Sequence, residues 1–123
     1  MSSILDRLMK ALGPTFLDGE IRQPTRVWVT IRHEAIYPVV EILKRSFGIS
    51  RVAMITGLET PLGLEILYHF ERINEVNLLE FLTIKLNIPR EDPSIDSIAS
   101  LIPSAHFYEI ELQELYGIKL NRN

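Results

Sequence analysis

Leu64-Glu65-Ile66-Leu67-Tyr68-His69-Phe70 places a large apolar side chain at every second position, at Leu64, Ile66, Tyr68 and Phe70. Successive strand residues point to opposite faces, so this spacing describes a β-strand with one buried face. Asn74 and Asn77 follow and flank a turn, because asparagine bonds its own backbone and tolerates a left-handed φ. Leu79–Ile88 then reads as a second long strand, apolar on both faces near its start. Upstream, Arg51–Gly57 is another strand, and Thr60-Pro61 with Gly63 forms a turn or opens the strand at Leu64. Strands joined by turns this short pair antiparallel.

Outward from this sheet, Arg26–Arg32 also alternates. Val27, Val29 and Ile31 face one way, and Trp28, Thr30 and Arg32 the other. Phe16–Ile21 is a short strand, separated from it by a Gln23-Pro24 break. Between the sheet segments, Glu34–Phe47 has helical spacing at Ile36, Val39, Val40, Leu43 and Phe47. Pro38 falls near the first turn, where its missing N–H matters least, and Gly48 suits the residue after the helix. Ser2–Leu12 reads as a leading helix with Ser3 as its cap, Ile4, Leu5, Leu8 and Leu12 on one face, and Gly13-Pro14 at its end. Pro89–Pro93 breaks the sheet and Ser94–Ile102 is irregular. Ser104–Tyr116 is a final helix closed by Gly117. The expected order, counted from the strand at Arg26 and leaving out the short one at Phe16–Ile21, is βαβββ between a leading and a last helix. That predicts an α+β fold in one domain, 1–123, with a mostly antiparallel sheet and helices packed on one face.

Thirteen basic against sixteen acidic residues give a formal charge of −3, which lacks the basic excess of a nucleic-acid-binding surface. No apolar run approaches the roughly 20 residues that a membrane-spanning helix needs. Met1–Leu12 mixes Asp6, Arg7 and Lys10 with apolar residues and is not expected to be a signal peptide. The sequence holds no cysteine, so it can supply neither thiolate nucleophile nor cysteine ligands for zinc or an iron–sulfur cluster. The lack of cysteine agrees with a reducing compartment.

His33, His69 and His106 are the only histidines, and they fall on three separate elements with no metal-binding spacing. They read as surface or packing residues, because metal sites and proton transfer need oriented partners. Glu109, Glu111 and Glu114 crowd the last helix. At 100° per residue Glu111 and Glu114 lie about 60° apart, while Glu109 points away from both. Solvated or ion-paired carboxylates are the ordinary reading. There is no phosphate-binding glycine loop and no nucleophile elbow. No metal, no cofactor and no catalytic residue is expected.

The last helix is the informative element. Ala105, Tyr108, Leu112, Leu115 and Tyr116 fall within roughly 100° of the helical wheel and form the stripe expected to pack on the sheet. Phe107 and Ile110 lie on the other side, beside Glu111 and Glu114. Apolar side chains bordered by carboxylates on an outward face have the makings of an interface.

The stretch Leu86-Asn-Ile-Pro-Arg-Glu-Asp-Pro-Ser-Ile-Asp-Ser-Ile-Ala-Ser-Leu-Ile-Pro-Ser-Ala-His-Phe-Tyr-Glu-Ile-Glu-Leu-Gln-Glu-Leu-Tyr-Gly-Ile118 resembles the signature region of the respiratory-chain NADH dehydrogenase 30-kDa subunit family. That family has a P-x-I-x-S-I/L segment followed by a helix of pattern P-x-A-x-W-x-E-R-E-x-x-D-M/L-F/Y-G-I. Pro93, Ile95, Ser97, Ile98, Pro103, Ala105, Phe107, Glu109, Glu111, Leu115, Tyr116, Gly117 and Ile118 are the matching positions. Arg51–Gly57 and Leu64–Phe70 are similar to its two central strands. Phe107 stands where tryptophan is usual, Ile110 replaces arginine and Glu114 replaces aspartate. The G-H-P-D-L-R-R tail of many members has no counterpart before Asn123, which makes the sequence similar to the short subunit of energy-converting membrane-bound [NiFe] hydrogenases or formate hydrogenlyase.

The resemblance implies a non-catalytic structural subunit in the cytoplasmic arm of a membrane-anchored complex. Its partners would be the large catalytic subunit and the iron–sulfur small subunit, and it would bind no cofactor and not enter the membrane. The last helix would be the partner-binding element. Phe107, Ile110, Glu111 and Glu114 would make the contact, supported by Glu109 and Tyr116. The 30-kDa subunit of a complex I-type NADH/quinone oxidoreductase is the alternative within the family. A stand-alone α+β regulatory binding domain is the alternative outside it, and a small hydrolase using the histidines a further one.

Overall fold

The computed structural model describes residues 3–23 and 25–122. Met1, Ser2, Pro24 and Asn123 lie outside the described residues, and with them the expected first residue of the leading helix and the proline of the Gln23-Pro24 break. Helix α1, Ile4–Leu12, starts at a reciprocal cap: Ser3 Oγ accepts the Asp6 N–H at 3.1 Å, and the Asp6 carboxylate accepts the Ser3 N–H at 3.4 Å. Leu8 and Leu12 are buried, with Ile4 and Leu5 packed beside them. A 3-10 turn at Gly13–Thr15 leads into β1, Phe16–Gln23, which pairs antiparallel with β2, Arg26–Ile31. Val27, Val29 and Ile31 all turn inward.

Helix α2 runs Ile36–Ser46, because a 3-10 turn occupies His33–Ala35 where the spacing suggested helix. Its buried face is the expected one: Ile36, Val39, Val40 and Leu43, with Phe47 just beyond the end. Strand β3, Ile49–Thr60, is longer than the Arg51–Gly57 core read from the sequence. It turns through Pro61-Leu62 into β4, Gly63–Ile73, and β4 turns into β5, Leu79–Ile88.

The sheet order is β1-β2-β5-β4-β3. One pairing departs from the antiparallel expectation: β2 and β5 run parallel, Val27 opposite Leu82 and Val29 opposite Ile84. The short turns fix the neighbours within β1–β2 and within β3–β4–β5. The connection through α2 crosses the sheet, carries β3 to the far edge and lets β5 return beside β2. Leu64, Ile66, Tyr68 and Phe70 of β4 and Leu82, Ile84, Leu86 and Ile88 of β5 share one face under the helices. Among the described residues no helix covers the opposite face. There Trp28, Thr83, His69 and Met54 stand in one row across four strands.

A charge also enters the interior. Arg72 continues the inward alternation of β4 and is only 3% exposed. Its guanidinium donates to the Phe47 carbonyl at 2.7 Å, to Glu80 Oε1 at 2.5 Å and to Glu75 Oε1 at 3.1 Å. It thus ties the end of α2 to both strands of the β4–β5 hairpin.

Ser94–Ile102, expected to be irregular, contains a short strand, β6, at Ser94–Asp96. It pairs in parallel with β7, Lys119–Asn121, which follows the last helix. Three-residue strands are too short to show a period of two, so they leave no pattern in the sequence. Helix α3, Ala105–Tyr116, lies between them and ends at Gly117, whose φ of 67° is left-handed.

Candidate partner-binding face

Helix α3 sits against β3, an edge strand, and is held there by hydrogen bonds at both ends. The Tyr108 hydroxyl donates to the Ala53 carbonyl at 2.9 Å and the Tyr116 hydroxyl to the Gly57 carbonyl at 2.7 Å. Gly57 permits the second approach, since a Cβ there would lie 2.5 Å from the Tyr116 ring. An exposed strand edge is a template for pairing with another chain, and the two tyrosines cover part of this one. We expect Tyr108→Phe with Tyr116→Phe to lower stability by about 1–2 kcal/mol through two lost hydrogen bonds. The double variant should also raise concentration-dependent self-association in analytical ultracentrifugation. A monomer indistinguishable from wild type at every loading would remove the edge-guarding role.

The inward side of α3 differs from the expected stripe. Ala105, Leu112, Tyr108 and Tyr116 do face the sheet, but Leu115 is 71% exposed. At the other border of the stripe Glu109 is fully buried. Ser97 Oγ donates to Glu109 Oε1 at 2.7 Å, and the Ile98 N–H donates to Oε2 at 2.8 Å. Burial raises the Glu109 pKa, and these two hydrogen bonds oppose the rise. Glu109 therefore latches α3 to the segment after β6, so the carboxylate expected to support the outward face lies in the interior beneath it. The sequence held a signal for this. Glu109 is four residues after Ala105 and three before Leu112, on the arc of the buried residues. Nearby, the Tyr68 hydroxyl is buried without a hydrogen-bond partner among the described residues, and burial, followed by the charges of Glu109 and Asp96, raises its pKa.

The outward side carries Phe107, 67% exposed, Ile110, 38% exposed, and the exposed Glu111 and Glu114. The structure thus brings four of the six sequence-expected residues onto one solvent-facing surface. Tyr116 is half-buried at its border and Glu109 lies beneath. The Phe107 ring meets Tyr108 edge-on, 5.7 Å between centroids. Beside this surface is a groove of about 250 Å³ between α3 and β3, lined by Met54, Gly57, Tyr108, Glu111, Leu115 and Tyr116. Met54 and Leu115 were not singled out by the sequence as contact residues. An apolar groove next to two exposed carboxylates can take an apolar side chain and a cation from a second protein.

The histidines stay apart. His33 Nδ1 lies 3.2 Å from Glu34. His69 stands on the helix-free face, sharing a hydrogen bond with Thr83 at 3.0 Å, and burial followed by the Arg26 charge lowers its pKa. His106 lies exposed on α3. Among the described residues no group of three or more His, Cys, Asp or Glu could hold a metal ion.

An α+β sheet with helices on one face, and a C-terminal helix of the signature pattern guarding its edge, defines a class of small subunit-type domain. The family profile described as "Respiratory-chain NADH dehydrogenase, 30 Kd subunit" matches residues 29–123, and the chain belongs to that family. It is 28% identical over 118 residues to the C-type subunit of F(420)H(2) dehydrogenase from Methanosarcina mazei, covering 94% of this chain and 73% of the relative. It is 25% identical over 118 residues to the C-type subunit of NADH-quinone oxidoreductase from Moorella thermoacetica, covering 94% and 78%. Two solved structures share the fold. One is a chain of the membrane-bound sulfane sulfur reductase, an archaeal respiratory membrane complex (TM-score 0.84, 20% identity, 98% of this chain and 69% of that one). The other is a trypsin-resistant fragment of Nqo5 (TM-score 0.79, 21% identity, 97% and 96%).

Proposed function

We propose that this chain is a non-catalytic structural subunit of a membrane-bound redox complex related to complex I, packing through α3 on the large catalytic subunit. The observation that carries the reading is the outward face of α3, where Phe107, Ile110, Glu111 and Glu114 stand exposed together on the family's own signature helix. The apolar pair supplies burial, and the carboxylates meet arginine or lysine across the interface. Relatives named as C-type subunits of two oxidoreductases support membership of a multi-subunit complex. No helix among the described residues is long and apolar enough to cross a membrane. In this reading the subunit forms one domain, 1–123, stays on the cytoplasmic side and reaches the membrane through its complex. It holds no cofactor, and an iron–sulfur small subunit is its second neighbour. An energy-converting [NiFe] hydrogenase or formate hydrogenlyase is the particular complex we favour, on the strength of the signature resemblance. The large subunit recovered with the chain would distinguish it from a quinone-linked relative.

The test is purification of the tagged chain from its native membranes. Wild type is expected to bring the large and iron–sulfur subunits with it. Phe107→Ala with Glu111→Ala should leave the melting transition in place while reducing recovery of the large subunit by about tenfold, as loss of an interface anchor does. Undiminished recovery would remove α3 as the contact. Recovery of the chain alone would favour an independent α+β binding domain.

A further inference from the structure

Tyr68 lies in the middle of the inner strand β4, with Ile55 of β3 and Ile84 of β5 as its cross-strand neighbours. Its side chain points inward and is fully buried. The ring stacks on Phe70, 6.0 Å between centroids and 9° from parallel. A ring enclosed in a close-packed core in this way cannot swing its hydroxyl to a distant partner. Yet that hydroxyl has no hydrogen-bond partner among the described residues. A buried donor left unpaired is rare in folded proteins, because nothing offsets the loss of its hydration.

The groups around it are polar and incompletely used. The negative charges of Glu109, from α3, and of Asp96, from β6, reach the Tyr68 hydroxyl. Each Glu109 oxygen accepts one hydrogen bond, Oε1 from Ser97 Oγ at 2.7 Å and Oε2 from the Ile98 N–H at 2.8 Å. A carboxylate oxygen has room for a second. A donor without a partner thus lies near acceptors with free lone pairs, across a gap too wide for a direct bond. Water spans such gaps between polar groups, and interior waters make about three hydrogen bonds to groups otherwise unpaired. We propose that Tyr68 and Glu109 hold one buried water between them. The Tyr68 hydroxyl donates to the water oxygen, one water hydrogen goes to Glu109, and the other points toward Asp96. A metal cation does not fit in its place. It would take the lone pair of the hydroxyl and leave the proton unpaired, and among the described residues no group of three or more His, Cys, Asp or Glu could hold one. The water binds β4 to the carboxylate that latches α3, and so steadies the helix from its buried side. It belongs to the interior of this chain, whatever protein covers α3.

Tyr68→Phe removes the hydroxyl and keeps the ring. Urea titration is expected to show the folding constant reduced about tenfold, with an unchanged slope. An unpaired hydroxyl behaves in the opposite way: its loss leaves stability unaltered or raises it, and that result would overturn the site. A crystal structure of the full wild-type chain identifies the partner and does not depend on the variant. One water peak about 2.8 Å from the Tyr68 oxygen, also within bonding distance of a Glu109 oxygen, is expected. A direct bond from Tyr68 to either carboxylate, or a hydroxyl with no density beside it, would overturn the water.

Discussion

Arg72→Leu is expected to cost about 3–5 kcal/mol of stability, the usual penalty for removing one member of a buried ion pair. Leucine fills part of the volume, yet Glu80, whose side chain is 14% exposed, loses its guanidinium while still enclosed. The Phe47 carbonyl at the end of α2 loses its donor as well. Urea titration would measure the loss. The informative companion is Arg72→Leu with Glu80→Leu, which removes both charges. Replacing a whole buried pair with apolar side chains is often neutral, so the double variant should recover most of the stability. A double variant as weak as the single one would mean that the bonds to Phe47 and Glu75, and not the stranded Glu80 charge, dominate.

Glu109→Ala is the second large effect. It orphans the buried Ile98 N–H and removes the acceptor of Ser97 Oγ, for an expected loss of about 1–3 kcal/mol. The loss has a pH dependence of definite sign. The folded pKa of Glu109 lies above its ordinary value of 4.5, so between those two values the folded chain binds more protons than the unfolded one. The contribution of Glu109 therefore grows as pH falls through its folded pKa and shrinks as pH rises. Glu75, drawn down to about 2 by a hydrogen bond with its own backbone and then by Arg7, has the opposite slope. It is present in both chains and cancels in the difference between wild type and variant. That difference should widen on acidification toward pH 4.5. A constant difference would mean that Glu109 is not shifted by burial. Loosening α3 in this way should also blur its outward face, so in the docking proposed above Glu109 would act from beneath, as a positioning residue.

Arg72 and Glu109 mark the limit of what the sequence reveals. The alternation from Leu64 to Phe70 and the spacing from Ile36 to Phe47 located the core strands and helix because apolar burial imprints the period directly. Arg72 is in phase with Phe70, and Glu109 with Ala105 and Leu112, so the periods had already marked both as inward. They were passed over because a charge is ordinarily assigned to solvent. Leu115 failed the other way: it lies at the border of the α3 stripe, and the narrow contact with one edge strand does not reach it. Neighbours are harder than faces. Period two tells which side of a strand is buried and nothing of which strand lies beside it, so the parallel β2–β5 pairing left no trace. For the proposed docking surface, Phe107, Ile110, Glu111 and Glu114 were legible as an outward group, whereas Met54 enters from a strand remote in sequence.

The parallel pairing of β2 with β5 also constrains how the chain reaches this state during synthesis. Until β5 leaves the ribosome, β2 has only β1 beside it, and Val27, Val29 and Ile31 wait without the strand that completes their sheet. The β3–β4 hairpin can form earlier, but it can join β1–β2 only through β5, the last of the five strands to emerge. Completion of the sheet is thus postponed until β5 has followed the other four strands. The order of strands predicts slow, late-closing assembly typical of non-local topologies, with the N-terminal hairpin as the segment most in need of protection meanwhile.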